Sequence, residues 1–519
     1  MRATWVAAAC MAAAVALPAG AADISFAVRT DISSVDPHFH VYVPNRSVSR
    51  HIFDALTNLG PRGEVMPGLA ASWKLISDDV WEFTLRDGVT YHDGTKLQAD
   101  DIAFTMTRAP AVPNSPSSYR TFTKRIDKVE VTGPLTVRIH TKGPSPTLLV
   151  DLANIAILSR KLAEGRTTPE FNAGPAAIGT GPYRFVEWQA GRSLILARNP
   201  SYWGGAEPWD RVTIRPIAND GARVAAMLSG DVDMIEGVPG VDRTKLAADP
   251  KLALHETDAF RIIYLHMDSD RDVSPGIRDA SGRPLTRNPF KDARVRRAMS
   301  MAINRAGLAE RLLSGQANPA GQYLPSDVAG ASPNLKPLPF DPEGARALLK
   351  EAGWGDGFSI ELAGSNDRYP NDAQVAQAIS QMFARVGVKT DVNTMPASQL
   401  FSRGSKLEFS AFLSGWVGNG EASSPLVALM ATHNKETGMG ASNRGRWSNA
   451  DFDAALGAAL RTLDDTMRNA YYAKAAEVAV AEMGMIPVYF TINTWATRKD
   501  LVYQARGDEA SLAMGLRPK

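Results

Sequence analysis

The chain has 519 residues, of which 44% are hydrophobic and 22% charged, with a formal net charge of +2. This is globular composition, long enough for two or three hydrophobic cores, and it excludes disordered and fibrous classes. The charge is nearly balanced and no long basic run occurs, so there is no electrostatic case for a nucleic-acid partner.

Residues 1–22 read MRATWVAAACMAAAVALPAGAA: an early Arg, an Ala-rich apolar stretch, a Pro, then Ala19-Gly20-Ala21 as a small-x-small cleavage site. The pattern predicts a secretory signal peptide. The uncharged run from residue 3 to 22 could just span a bilayer, but Pro18 and Gly20 stand where a membrane helix would end and no Lys/Arg cluster follows. Cys10, the only cysteine, lies inside this segment. Against a lipid anchor there stand the short run of residues before it and Ala7, where Leu is usual. The mature chain then has no thiol, which suits an oxidising compartment. No later stretch reaches the roughly 18 apolar residues a membrane helix needs, so a periplasmic monomer is expected.

His38 and His40 in VDPHFHVY have the spacing of a metal pair on an extended chain, without an assured third ligand. From about residue 80 strands show by alternation. In VWEFTLRDG, Trp81, Phe83 and Leu85 face one side and Glu82, Thr84 and Arg86 the other, ending at Asp87-Gly88. KVEVTGPLTVRIHT repeats the pattern around Gly133-Pro134 as a hairpin, and a helix is predicted near Asp100–Thr107. RVTIRPIANDGARVAAMLSGDVDMI then reads as strand, helix with Val224, Met227 and Leu228 on one face, Gly230 as stop, and strand: a β-α-β unit whose parallel strands need helices over the sheet.

His255-Glu256 begins like a zinc-protease helix, but Ala259 occupies the place of the second His. FRIIYLHM (260–267) and MIPVYFTI (485–492) are apolar enough to cross between two halves of the molecule; buried core strands would look the same. DSDRDVSPGIRD opens like a calcium loop at Asp268, Asp270 and Asp272, yet Val273 replaces the turn Gly and Asp279 the bidentate Glu, so it reads as a solvated acidic loop. After residue 290 helices lengthen. DARVRRAMSMAINRAGLAERLL sets Val295, Ala298, Met299 and Ala302 on one stripe, and FDPEGARALLKEAGWG has Asp341 as N-cap, Pro342 in the first turn and Gly353 at the stop. AQVAQAISQMFARVGVKTDV gives a helix with Ile379, Phe383 and Val386 inward, Gly387 as its cap, and a strand behind. No G-x-S-x-G elbow, P-loop, G-x-G-x-x-G or paired Cys occurs.

Several of these stretches, in order and with matching spacing, resemble one family. IFDALTNLG, PGLAASWKLISDDVWEFTLRDGVTYHDGTKLQADDIAFTMTR, GTGPYRFVEW, RNPSYWGG, GDVDMIEGVP, FKDARVRRAMSMAINR and FDPEGARALLKEAGW are similar to the family 5 solute-binding proteins of ABC importers, the dipeptide- and oligopeptide-binding group. The likeness runs from about residue 25 to the end. It implies an α/β, two-lobed periplasmic-binding-protein-like fold with mixed sheets, a crossing-strand hinge and an extra subdomain in lobe I. Lobe I would cover 23–262 and 490–519, with its subdomain at about 56–165, and lobe II 263–489. Most matched blocks are structural; GTGPYRF, for instance, reads as a turn into a strand.

The resemblance also implies a site. Tyr42, Val43, Pro44 and Asn45 match a loop that lines the ligand cleft in peptide binders, unless they form a plain surface turn. Gly415, Trp416, Val417, Gly418 and Asn419 match a segment that pairs its backbone with an extended ligand. There an Asp three residues after the Trp takes the peptide ammonium, and here that position is Asn419. An enclosed ammonium without a counter-charge loses several kcal/mol of hydration, of which a charge-assisted hydrogen bond returns roughly 1.5 to 3. Free-N-terminal peptides are therefore disfavoured unless Glu421 replaces the missing carboxylate. Trp416 either stacks on the ligand or fills the lobe interface, and Arg403 is a candidate for the ligand carboxylate or a solvated surface residue.

The expected function is the periplasmic binding component of an ABC importer, capturing a peptide or peptide-like solute between two lobes and delivering it to an inner-membrane permease, with no cofactor and no catalysis. Two alternatives stand beside it. A nickel-type metal-chelate importer of the same fold needs His38, His40 or His433 at the cleft. A secreted hydrolase needs a nucleophile-base pair or two facing carboxylates.

Overall fold

The strand Arg211–Pro216, the helix Asp220–Ser229 and the strand Met234–Glu236 realise the β-α-β unit. Asn219 caps the helix by accepting from the Ala222 N–H at 2.9 Å, and Gly230 closes it at φ 81°, a left-handed conformation suited to glycine. The two strands do not pair with each other: Asp23–Val28 lies between them, parallel to both. The structure, a computed structural model, describes residues 22–519, so the signal peptide expected at 1–22 and Cys10 fall outside the described residues save Ala22. Among the described residues no helix is long and apolar enough to cross a membrane.

The protein is an α/β molecule built on one mixed twelve-stranded sheet and a separate four-stranded antiparallel sheet. At the middle of the large sheet run two long antiparallel strands, Leu252–Met267 and Ile486–Arg498. Thr497, Ala496 and Trp495 pair with Met234–Glu236, tying the second strand to the N-terminal half. Arg261–Met267 of the first pair with Ala411–Val417, tying it to the other half. Both strands therefore cross between halves, and the lobe boundaries expected at 262/263 and 489/490 fall inside them. Their pairing is interrupted between Asp258 and Ile262. There the main chain of Phe260 turns outward: its N–H donates to Gly507 O at 2.8 Å and its carbonyl accepts from Gly418 N at 3.1 Å.

Apolar side chains collect on either side of this crossing. Ile24, Phe26, Ile52, Val212, Ile214, Trp495 and Leu516 share one core, while Leu265, Met299, Leu362, Ile379 and Val488 share another. The four-stranded sheet has its own core, with Phe83 and Leu85 buried and Thr84 exposed, as the alternation requires. The hairpin joins Ile126–Gly133 to Thr136–Thr141. In the second half Val295, Ala298, Met299 and Ala302 are all fully buried. Their helix ends at Met301, and Asn304 caps the short helix that follows, its side chain accepting from Gly307 N at 2.9 Å. Asp341 caps Pro342–Glu351 through Gly344 N at 2.8 Å, and Gly353 follows at φ 82°.

Two sequence expectations change on this scaffold, and the rejected zinc motif at His255 finds its place. His38 is no cleft residue: it is fully buried, with Nε2 2.8 Å from Ala156 O and Nδ1 2.9 Å from Arg108 Nη1. Arginine only donates, so Nδ1 accepts and the ring is neutral. Arg108 in turn holds buried Asp36 with both terminal nitrogens, at 3.0 and 2.8 Å. The loop at 268–279 is not solvated throughout, since Asp268 is buried and accepts from Arg271 Nε at 2.6 Å and Ser274 Oγ at 2.5 Å. Its carboxylate is thereby occupied by protein donors. His255 lies in the strand Leu252–Met267, not on a helix, with Nε2 3.0 Å from Thr497 Oγ1.

His51 fixes the C-terminal return. Its Nδ1 lies 2.8 Å from Ser47 O, and Nε2 accepts from the Ala513 N–H at 3.0 Å. Burial pushes both His38 and His51 down to about 4. An unfolded histidine titrates near 6.5, so between about pH 6.5 and 4 the unfolded chain binds more protons than the native one. Stability contributed by the neutral rings is full above that window and falls as pH drops through it. The thermal midpoint followed by circular dichroism should decline from pH 6.5 toward 4, and His51→Gln should flatten the slope. A midpoint constant to pH 4.5 would contradict this.

Candidate ligand-binding site

Strand Ala411–Val417 is buried for its first four residues and half-exposed over Gly415, Trp416 and Val417, where it emerges between the halves. Val417, Trp416 and Gly415 stand opposite Arg261, Ile262 and Ile263. Gly415 is clasped by the Tyr369 hydroxyl, which accepts from its N–H at 2.9 Å and donates to its carbonyl at 3.2 Å. A Cβ at 415 would come within 2.7 Å of Ile263 Cδ1 and 3.0 Å of the Tyr369 ring, so a larger residue would have to push both side chains aside. Antiparallel alternation follows: Gly415 and Val417 turn their main-chain groups away from the crossing strand, and Trp416 turns its own toward it. Among the described residues the Val417 N–H and carbonyl have no partner on that outer edge. The Trp416 indole N–H is anchored on Ser424 Oγ at 3.1 Å, leaving the ring half-exposed.

The turn that follows touches the opposite lobe. Gly420 has φ 84° and Gly63 φ 88°, and a Cβ on either would lie 2.6 Å from the Cα of the other. Backbone meets backbone here. Beside this contact Arg62 packs over the Phe260 ring at 5.0 Å and pairs with Asp327. Asn419 Oδ1 accepts from Glu421 N at 3.3 Å, forming a local turn. Glu421 is bent back on Ser423, accepting from its N–H at 2.8 Å and from its hydroxyl. Burial raises Glu421 above the ordinary carboxyl range. Burial also pushes Asp151, on the facing subdomain, up to about 7, and the Glu421 charge adds to that rise.

From lobe I, Tyr42 precedes the helix Val43–Ile52, with Pro44 in its first turn. Its ring stacks on His40 at 5.0 Å and carries the Arg368 guanidinium at 6.0 Å; Arg368 also lies 5.9 Å from the Tyr369 ring. Tyr42, Arg368, Tyr369 and Gly415 thus form a continuous chain of contacts joining the two segments singled out in the sequence. Below them Arg261 and Glu509 make a bidentate ion pair at 2.6 Å for both bonds.

Other expected residues sit differently. Asn45 is buried, accepting from Ser33 N at 3.2 Å and donating to Ser34 O at 3.1 Å, so its amide holds a loop of its own lobe. Val43 and Pro44 begin a helix instead of forming a loop, and line a small cavity with Phe26 and Glu509. Arg403 donates to Glu408 at 2.8 Å and lies over Phe409 at 4.7 Å, contacts that keep it within lobe II. His433 Nδ1 lies 3.1 Å from Gly440 O. Among the described residues no three His, Cys, Asp or Glu are grouped to hold a metal ion. Sequence reading missed Arg62, Gly63, Arg261, Arg368, Tyr369 and Glu509. The only signal at 368–371 was a polar run around one Tyr and one Pro.

With this geometry, similarity to known proteins becomes decisive. Residues 64–438 match the model of the bacterial extracellular solute-binding proteins, family 5 Middle. The chain belongs to that family. A glutathione-binding protein GsiB of Salmonella paratyphi A is 30% identical over 497 residues, covering 93% of this chain and 92% of that protein. Among solved structures, HbpA2 of Haemophilus parasuis superposes with a TM-score of 0.81 at 24% identity, over 96% of this chain and all of the other. The periplasmic binding protein DppA of Helicobacter pylori, in complex with the peptide STSA, gives 0.78 at 23% identity, over 96% and 98%. The chain is a family 5 solute-binding protein, and the hydrolase reading gives way.

The paired glycines generate a direct test. An alanine at Gly420 must adopt a left-handed backbone, at roughly 1–2 kcal/mol, and displace Gly63. Gly420→Ala and Gly63→Ala should each raise the radius of gyration in small-angle scattering, under conditions where the wild-type curve matches the arrangement with the lobes in contact. Unchanged curves for both variants would show that this contact does not hold the lobes.

Proposed function

We propose that this family 5 protein is exported to the periplasm and works there as a monomer. It captures a peptide-like solute of the glutathione class between its lobes and hands it to an ABC permease. The observation that carries the reading is the unpaired outer edge of Val417. It lies beside a half-exposed Trp, and Gly415 in the same strand is joined through Tyr369 and Arg368 to Tyr42 of the other lobe. An extended ligand main chain can add to that edge as a strand. Similarity to glutathione-binding proteins across nine-tenths of the chain supports the same class.

Closure supplies the mechanism. A solute touching Tyr42 from one side and Trp416 and Val417 from the other favours the closed form. Moving a population from 1:99 to 99:1 takes roughly 5.5 kcal/mol of differential binding. Asn419 bears on selectivity: its amide is engaged with the turn and carries no charge, so it does not neutralise an ammonium as an aspartate would.

Native mass spectrometry of protein purified from its own periplasm should show a co-purifying peptide-like mass. Glutathione should compact the protein in scattering more than sugars or metal chelates do. Asn419→Asp should strengthen binding of free-amine dipeptides by about tenfold or more, the yield of one charge-assisted hydrogen bond. Indifference of dipeptide affinity to that substitution would remove Asn419 from the site.

A further inference from the structure

Behind the helix Val43–Ile52, where lobe I meets its subdomain, lies a cavity of about 300 Å³, at the small end of ligand-pocket sizes. Arg46, Arg50 and Arg506 line it, together with Asp54, Asn154 and Glu207. The carboxylates around it are already engaged. Asp54 accepts from Thr180 Oγ1 and Trp203 Nε1, both at 2.8 Å, and from Tyr202 at 3.3 Å. Glu207 is held by Arg517 at 2.7 Å. Asp508 pairs with Arg50 at 2.8 Å and Arg506 at 2.9 Å.

Arg46 is left over. Among the described residues no carboxylate pairs with it, and its only hydrogen-bonding side chain is Asn154, whose Oδ1 accepts from Nη1. The orientation of that amide is fixed, because Asn154 Nδ2 donates to Val150 O at 2.8 Å. The Arg46 Nε is buried with no acceptor, and no described hydrogen bond uses Nη2. Nε is sealed off from the cavity, so Nη2 is the nitrogen left to donate to an anion there. Burial and the nearby Arg50 charge hold Arg46 below the usual arginine range, as expected of a cation without its anion.

We infer that this cavity is a subsite for a carboxylate, received by Arg46 Nη2. Its lining comes from lobe I alone, one turn along the chain from Tyr42, whose carbonyl accepts from the Arg46 N–H at 3.0 Å. The inference rests on the proposed peptide-like solute insofar as the carboxylate belongs to it. The same chemistry would take a free small dicarboxylate.

Two arms separate these sources. In the first, titration calorimetry compares glutathione with its diamide, which lacks both carboxylates. Wild type should prefer the acid by tenfold or more, and Arg46→Gln should bring the two affinities within about threefold. Asn154→Asp should do the same, because it places an internal carboxylate on Arg46 in exchange for the bond to Val150 O; this variant keeps the test valid if Arg46→Gln fails to fold. In the second, succinate should raise the wild-type thermal midpoint above sodium chloride at equal ionic strength, and not that of Asn154→Asp. If glutathione and its diamide both fail to bind while succinate stabilises in this Arg46-dependent way, the anion site stands and the peptide-like reading falls. If glutathione binds but all three proteins prefer acid over amide equally, the subsite is overturned and the peptide-like reading survives. Absence of both effects overturns the inference.

Discussion

The structure depends on a break in one ladder of hydrogen bonds. Two strands of 16 and 13 residues run side by side through the centre of the sheet, and uninterrupted pairing would weld both halves into one rigid slab. Between Asp258 and Ile262 the register slips. A buried main chain must find partners somewhere, and Phe260 finds them in Gly507 of the C-terminal return and Gly418 of the turn after Trp416. The irregularity that permits bending therefore also ties the hinge to the ligand segment. Bulges recur beside functional sites because they redirect a strand while keeping its neighbours paired, and that is what happens here.

Much of the scaffold was legible because its signals are local. Asp341, Pro342 and Gly353 bound their helix as cap, first turn and stop, and alternation around Phe83 and Leu85 fixed the inner face of the small sheet. The strand Asp23–Val28 was not read, since its six residues follow directly on an apolar leader and its role, separating two parallel strands, is a fact of topology. His38 and His40 show the limit of spacing arguments. Two residues apart, one is buried against Arg108 and Ala156 while the other stacks on Tyr42. The site divides in the same way. Gly415 to Asn419 could be found by resemblance, whereas Arg368, Tyr369, Arg62 and Gly63 reach them only through folding.

Charge around the site is arranged with little waste. Arg261 meets Glu509, Arg62 meets Asp327, and Asp508 serves two arginines at once. Against that background, three groups without an ion-pair partner among the described residues stand out: Arg46, and the carboxyls of Asp151 and Glu421, whose protonation is favoured by burial. Enclosed charges persist only when something compensates them. A carboxyl can shed its charge near neutrality, whereas a guanidinium cannot. Burial thus favours the uncharged form of the two acids, while the guanidinium keeps its charge.

That asymmetry explains why an amide can replace the carboxylate expected at position 419. An aspartate there would add a third acid near Glu421 and Asp151, in a cleft where the Glu421 charge already raises Asp151. Asn419 keeps the turn, through its bond to Glu421 N, and adds no charge. Under the proposed function the solute is then selected less by its amine than by its main chain along Val417, by the aromatic faces of Tyr42 and Trp416, and by whatever acidic group it carries toward lobe I. On that proposal the site prefers ligands whose negative end is distinctive and whose positive end is dispensable, the reverse of a general peptide scavenger that grips every free N-terminus alike.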